Sequence, residues 1–191
     1  VLEIVSRNSD HLLETPGQQQ NFFALLNETQ RKLYEDELTG VYNRRYLNEF
    51  LFLQNKNSTI PEKLTIIFLD LQDFKSINDT YGHLTGDRLL KHIAQTLVTN
   101  VRNQDSVIRF GGDEFIITLT NCTEDNIQYK IDKLKEKLYA ICYDTKNNLH
   151  IRANFGYSHS NKFILSKTML HTMIKKADSM MYHEKQLAKH R

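Results

Sequence analysis

Two glycines and two acids sit together in RFGGDEF, residues 109–115, where Gly111 and Gly112 immediately precede Asp113 and Glu114. Val107 and Ile108 lie before the motif and Phe115, Ile116 and Ile117 continue it, so the glycines fall at a turn between two strands. A backbone without Cβ lets N–H groups approach a phosphate closely. Carboxylates placed together repel, and either a raised pKa or a cation between them relieves the repulsion. No nearby pair of histidines or cysteines would select zinc, so oxygen ligation of Mg²⁺ or Mn²⁺ is the expected metal chemistry. Cations bridging a triphosphate, an acid beside the attacking hydroxyl and exposed backbone donors make a site for phosphoryl or nucleotidyl transfer. The plain alternative is a Gly-Gly-Asp hairpin with solvated acids.

The elements around the motif decide whether it gains a second acidic partner. Residues 64–71, LTIIFLDL, are almost continuously apolar, as a strand covered on both faces would be. A polar, Gly-containing stretch then leads to a helix predicted from about Thr85 to Asn100, with Leu89, Leu90, Ile93, Ala94, Leu97 and Val98 at helical spacing. Residues 106–110 and 114–119 form the predicted hairpin. Thr123 is the expected cap of a helix carrying Ile127, Ile131, Leu134, Leu138 and Ile141. Leu149, Ile151, Ala153, Phe155 and Tyr157 alternate, which predicts a strand with one buried face. A last amphipathic helix carries Met169, Leu170, Met173, Ile174, Ala177, Met180 and Met181 against the sheet. Upstream, residues 36–47 read as a cap, a glycine turn and a helix running through Phe50, Leu51 and Leu53, followed by a loop over 55–61.

The order β, α, β-hairpin, α, β predicts an α+β fold of the ferredoxin-like (βαββαβ) palm type, with a central antiparallel sheet. In that topology the end of the first strand faces the start of the third. Asp70 and Asp113, far apart in sequence, are then expected at one sheet edge.

Composition bounds the rest. The chain has 191 residues, 40% hydrophobic and 25% charged, with a net charge of +2, which fits one domain with some tail and carries no nucleic-acid footprint. No run approaches a membrane span, and the first residues lack a signal-peptide layout, so a cytoplasmic chain without membrane contact is expected, although the full-length protein could be membrane-anchored. Cys122 and Cys142 are expected as free thiols. A start at Val rather than Met suggests a piece of a longer protein. Residues 1–35 are assigned to an N-terminal linker and signalling helix, entered through Thr15-Pro16-Gly17-Gln18 and striped by Phe22, Leu25, Leu26 and Leu33; residues 36–191 form the catalytic domain.

The segments DELTGVYNRR (36–45), DLQDFKSINDTYGHLTGD (70–87), RNQDSVIRFGGDEF (102–115), NFGYS (154–158) and ADSMMYHEK (177–185) occur in an order that resembles the GGDEF-domain diguanylate cyclases, which condense two GTP into cyclic di-GMP. The resemblance implies that Asp70, the Leu71 carbonyl and Asp113 ligate Mg²⁺ or Mn²⁺, with Asp113 also a proton acceptor and Glu114 assisting. It implies that Asn78 and Asp87 read guanine, whose N1 and N2 edge suits a carboxylate acceptor. Phe74, Lys75, Gly82 and His83 match the pocket loop, Gly111 and Gly112 the phosphate-facing turn, and Lys185 a phosphate-binding lysine. Arg102 and Asp105 match an R-x-x-D product-inhibition site, for which a surface ion pair is the dull alternative. The resemblance further implies a face-to-face homodimer for turnover and an upstream sensor.

The sequence departs from the family pattern at three places. Gln72 stands where a second Asp is common, Asn154 replaces a common Ser, and Ala188 to His190 replace Gly-Arg-Asn, leaving Lys189 as the second phosphate contact. Two rivals remain at this stage: a catalytically silent module that receives GTP or cyclic di-GMP, and another palm-type nucleotidyl cyclase or polymerase.

Overall fold

The structure, a computed structural model, describes residues 29, 32–54, 62–162 and 166–189. The chain divides into two compact units, Val1–Tyr34 and Glu35–Arg191. Of the first, Thr29 and residues 32–34 are helical; the helix entrance at Thr15 to Gln18 and the stripe from Phe22 to Leu26 lie outside the described residues, as does the loop at 55–61.

The second unit begins with a short strand, β1 (Tyr42–Asn43), and helix α1 (Arg44–Gln54). The Asn43 side chain accepts bonds from the Arg45 and Tyr46 amides, capping α1. Then follow β2 (Leu64–Leu71), α2 (Phe74–Tyr81), α3 (His83–Thr99), β3 (Ser106–Arg109), β4 (Glu114–Thr120), α4 (Asp125–Tyr139), β5 (Cys142–Asp144), β6 (Leu149–His150), β7 (Ala153–Ser160) and α5 (Lys167–Lys189). The main sheet has the order β1-β3-β4-β2-β7, with β5 and β6 forming a separate hairpin. Four of its strands reproduce the ferredoxin-like arrangement, with β2 antiparallel to both β4 and β7 at the centre.

All eight residues of β2 are buried, because the sheet is covered on both faces. Ile67, Leu69 and Leu71 join Leu90, Ile93 and Leu97 of α3 and Ile127 and Ile131 of α4 in the main core. Ile66 and Phe68 alternate onto the other face, where α5 packs.

Four expectations need correction. The polar stretch after β2 contains a helix, α2, in addition to α3, which itself starts at His83. Its polar middle hides the signal; only Phe74 and Ile77, three apart, are buried. Strand β7 is covered on both faces: Asn154 and Ser158 are buried as fully as Phe155. Gly156 explains this, since a Cβ built there would meet the backbone of Ala177 and Met181 at 2.1 and 2.2 Å, so α5 lies directly on the strand. Thr123 does not cap α4 through its side chain; its hydroxyl accepts from Asn126 Nδ2 and the helix starts at Asp125. In α5, Met173 and Met181 are buried, while Met169 and Met180 are exposed. Both cysteines are free thiols.

Candidate active site

The antiparallel register of β2 and β4 sets Asp70 opposite Glu114. One step on, the Leu71 amide donates to the Asp113 carbonyl at 3.2 Å. The end of one central strand and the start of the other thus bring three acids to one sheet edge. Asp70 is 6% exposed, and charge so buried needs a partner. Lys185 of α5 supplies it, donating from Nζ to Asp70 Oδ1 at 2.7 Å, and that bond raises the lysine's pKa above its ordinary value. Burial, and next the charge of Asp70, push Asp113 above the ordinary carboxylate range. Burial, then Asp70, Asp113 and Asp178, do the same to Glu114. Glu114 lines a cleft of about 290 Å³ with Arg44, Phe110 and Asp178.

Asp178 was not singled out from the sequence. The available signal was its spacing: it lies seven residues, or two helical turns, before Lys185 and so shares a face with it.

The glycine turn is held from outside. Arg109 donates from Nε and Nη2 to the Gly112 carbonyl, at 3.2 and 2.8 Å, and from Nη1 to Asp36 at 3.1 Å. Asp36 also accepts from the Thr39 amide and hydroxyl. Burial pushes the Asp36 carboxyl up, but the Thr39 and Arg109 bonds outweigh it and hold the group below its ordinary range. A Cβ on Gly111 would meet Glu114 Oε2 at 2.5 Å, so this position keeps room for the acid. The Gly111 amide donates to the Glu114 carbonyl at 3.3 Å, whereas a Cβ built at Gly112 has nothing within 4 Å.

Helices α2 and α3 form the wall beside this edge. Asp73 takes the left-handed conformation (φ 54°) to turn the chain from β2 into α2, and Gly82 (φ 82°) turns it again into α3. The strand ends at Leu71, so Asp73 belongs to this turn and not to β2. Phe74 is buried, whereas Lys75 and His83 are exposed at the first turns of the two helices. Asn78 of α2 lies against Gly86 of α3, the residue before Asp87: a Cβ at Gly86 would lie 1.9 Å from Asn78 Oδ1 and 3.2 Å from Phe74 Cζ. Gly86 was another residue missed from the sequence, where nothing but its position before Asp87 marks it. The far end of α2 is tied to the β5–β6 hairpin by Tyr81 Oη donating to Asp144 Oδ2 at 2.6 Å. This bond raises the Tyr81 pKa to about 12 and lowers that of Asp144 to about 2.

The Gln72 and Asn154 departures meet: Gln72 Nε2 donates to Asn154 Oδ1 at 2.7 Å, and the Gln72 amide to the Arg152 carbonyl at 2.8 Å. Arg102 and Asp105 lie at the far end of β3 from the glycine turn. Asp105 accepts from the Arg102 and Thr120 amides, while the Arg102 side chain is exposed. The Lys189 side chain lies outside the described residues. For a divalent ion, Asp70, the Leu71 carbonyl and Asp113 offer oxygen only. Among the described residues no three His, Cys, Asp or Glu side chains form a metal cage. Such a sparse oxygen set fits an ion that keeps waters and shares substrate phosphate oxygens.

Comparisons with known proteins agree with this fold. A family described as "Diguanylate cyclase, GGDEF domain" matches residues 33–191. Diguanylate cyclase A of Treponema denticola is 32% identical over 147 residues, 76% of this chain but 38% of that protein, so the chain spans less than half its length. Among solved structures, Pseudomonas aeruginosa diguanylate cyclase SiaD, in complex with its activator SiaC, matches at a TM-score of 0.72 and 26% identity, over 97% of this chain and 68% of that one. The coiled coil and GGDEF domain of DgcB from Caulobacter crescentus, in complex with c-di-GMP, shares the fold at a TM-score of 0.73 and 18% identity, over 96% and 94%. With three acids gathered at the β2–β4 edge and a family match over most of its length, the chain belongs to the GGDEF domain family.

Proposed function

We propose that the protein is a diguanylate cyclase, condensing two GTP into cyclic di-GMP with release of two pyrophosphates. The observation that carries this reading is the β2–β4 register, which gathers Asp70, Asp113 and Glu114 beside the glycine turn. Mg²⁺ or Mn²⁺, held by Asp70, the Leu71 carbonyl and Asp113, would neutralise the triphosphate and polarise its α-phosphorus. Asp113 takes the proton of the attacking 3′-hydroxyl. Lys185 moves between Asp70 and a phosphate oxygen as a point charge, and Lys189 is assigned a second phosphate. Asn78 and Asp87 bind the guanine edge, with Phe74, Lys75, Gly82 and His83 shaping the pocket.

Each domain holds one GTP while the product needs two 3′-to-5′ bonds. Two copies therefore meet face to face, each hydroxyl attacking the α-phosphate of the opposite nucleotide. Arg102, with an exposed guanidinium, is assigned with Asp105 to product inhibition. An upstream sensor would govern the encounter of the copies.

The test is incubation with GTP and Mg²⁺ or Mn²⁺, with mass spectrometry of the product. Cyclic di-GMP and pyrophosphate are expected, and Asp113→Ala abolishes both. The silent-receptor reading draws support from one observation, the neutral Gln72–Asn154 pair at the metal edge; nucleotide binding without pyrophosphate release would favour it. ATP turnover equal to that of GTP would favour another palm-type enzyme.

A further inference from the structure

The anchoring of α5 to the sheet carries an inference about a residue with no part in the reaction described above. Strand β7 is an edge of the main sheet, so every second N–H points away from β2 and has no strand partner. Two such amides, of Phe155 and Tyr157, are both taken by α5. The Phe155 N–H donates to Glu184 Oε2, and the Tyr157 N–H to the Met180 sulfur at 3.5 Å. Positions 180 and 184 are one turn apart on the same helix face. Between these two ties the helix backbone rests directly on Gly156. The second oxygen of Glu184 pairs with Lys135 of α4, whose ammonium lies 5.6 Å from the centre of the Phe155 ring. One half-buried carboxylate therefore joins α4, β7 and α5 immediately before Lys185.

We propose that Glu184 is a positioning residue for Lys185: by binding the Phe155 amide and the Lys135 ammonium together, it fixes the rotation of α5 that lets Lys185 reach Asp70. The physical reason is helical phase. Successive residues are about 100° apart around an α-helix, so a small rotation at 184 swings the Lys185 ammonium off the sheet edge. Loss of the Glu184 carboxylate also leaves the Phe155 N–H without its acceptor, which gives the last turns of α5 a reason to shift. The proposal rests on the cyclase reading only in assigning Lys185 to nucleotide phosphate.

The test is a double-mutant cycle between Glu184→Ala and Lys185→Ala, read twice: by GTP binding in Mg²⁺ with the KM and kcat of turnover, and by thermal unfolding without nucleotide. Glu184→Ala is expected to weaken GTP binding and raise KM about three- to tenfold. In the Lys185→Ala background the same change is expected to have little further effect, within about twofold. Glu184→Gln keeps an oxygen for the Phe155 N–H and is expected to recover most of the loss. Hydrogen exchange at Phe155 reports the tie directly, fast in Glu184→Ala and slow in Glu184→Gln. Equal losses in both backgrounds, or a Glu184→Ala protein with unchanged GTP affinity, would overturn the proposal. Should the wild type fail to bind GTP, the cyclase reading fails instead. The positioning role is then decided by the unfolding cycle, in which additive effects of the two substitutions refute it.

Discussion

Replacing Lys185 by Met tests whether its ammonium is what keeps a charged Asp70 tolerable at the sheet edge. The two groups are 2.7 Å apart, with side chains 34% and 8% exposed. At that distance and an effective dielectric of about 20, the gross attraction is roughly 6 kcal/mol before any desolvation is subtracted. Removing one partner of a buried pair destabilises by about 3–5 kcal/mol, and the partial exposure of Lys185 reduces this to about 2 kcal/mol. For a chain of this size that lowers the melting temperature by roughly 4–8 °C. The sign with pH follows from the neighbouring acids. Asp113 and Glu114 have raised pKa values, so they bind protons in the folded state that the unfolded chain has already lost, and stability falls as pH rises through that window. Without the lysine that fall steepens, so the deficit of Lys185→Met is greatest at neutral pH and shrinks below about pH 4, where carboxylates protonate. Calorimetry in EDTA and in saturating Mg²⁺ is the assay. An ion bound only by the native state adds RT ln(1 + [L]/Kd), and the more exposed acids of the variant gain more from it. A variant that melts with wild type in EDTA refutes the reasoning, as does a deficit that neither Mg²⁺ nor acid reduces.

Gly86→Ala places a methyl group 1.9 Å from Asn78 Oδ1, so Asn78 must turn away. About 1–3 kcal/mol of stability is lost to overpacking, and KM for GTP rises about tenfold with a smaller change in kcat; an unchanged KM would remove Asn78 from base recognition. Tyr81→Phe removes the bond to Asp144. Since Asp144 is depressed to about 2 and Tyr81 raised to about 12, the wild-type advantage in thermal melts holds from about pH 4 to 10; it vanishes as pH falls through 2 or rises through 12. Arg102→Ala is expected to leave initial rates intact and to abolish inhibition by added cyclic di-GMP; inhibition that persists would leave the Arg102–Asp105 pair as ordinary surface. Gln72→Asp breaks the amide pair with Asn154 and restores a charge at the edge. Tighter Mg²⁺ binding by calorimetry is expected, and weaker binding would show that Gln72 braces the site.

The topology was legible because the burial rhythm of β2 and the hairpin signal at Gly111–Gly112 are both strong, and the ferredoxin-like order then left one register for Asp70 and Asp113. Helix α2 was not: its eight residues hold only two buried side chains, and its entry through Asp73 at φ 54° has no reliable signature in a non-glycine residue. The second buried face of β7 escaped for the opposite reason, since Asn154 and Ser158 are polar yet enclosed by a helix that follows later in the chain. The sequence pointed to Lys185, but its bond to Asp70 joins residues 115 positions apart and depends on how closely α5 approaches Gly156. Glu184 had no signal at all; an exposed-looking helix glutamate becomes a structural acceptor only because β7 ends the sheet.

The Arg109 guanidinium grips two loops at once, the opening turn through Asp36 and the glycine turn through the Gly112 carbonyl. Mechanically these loops are one piece, since neither can shift by more than the slack of a hydrogen bond without pulling on the other. A torque delivered where the domain's chain enters would thus arrive at the acidic rim within a single side chain's length, with no need for the core of the sheet to deform.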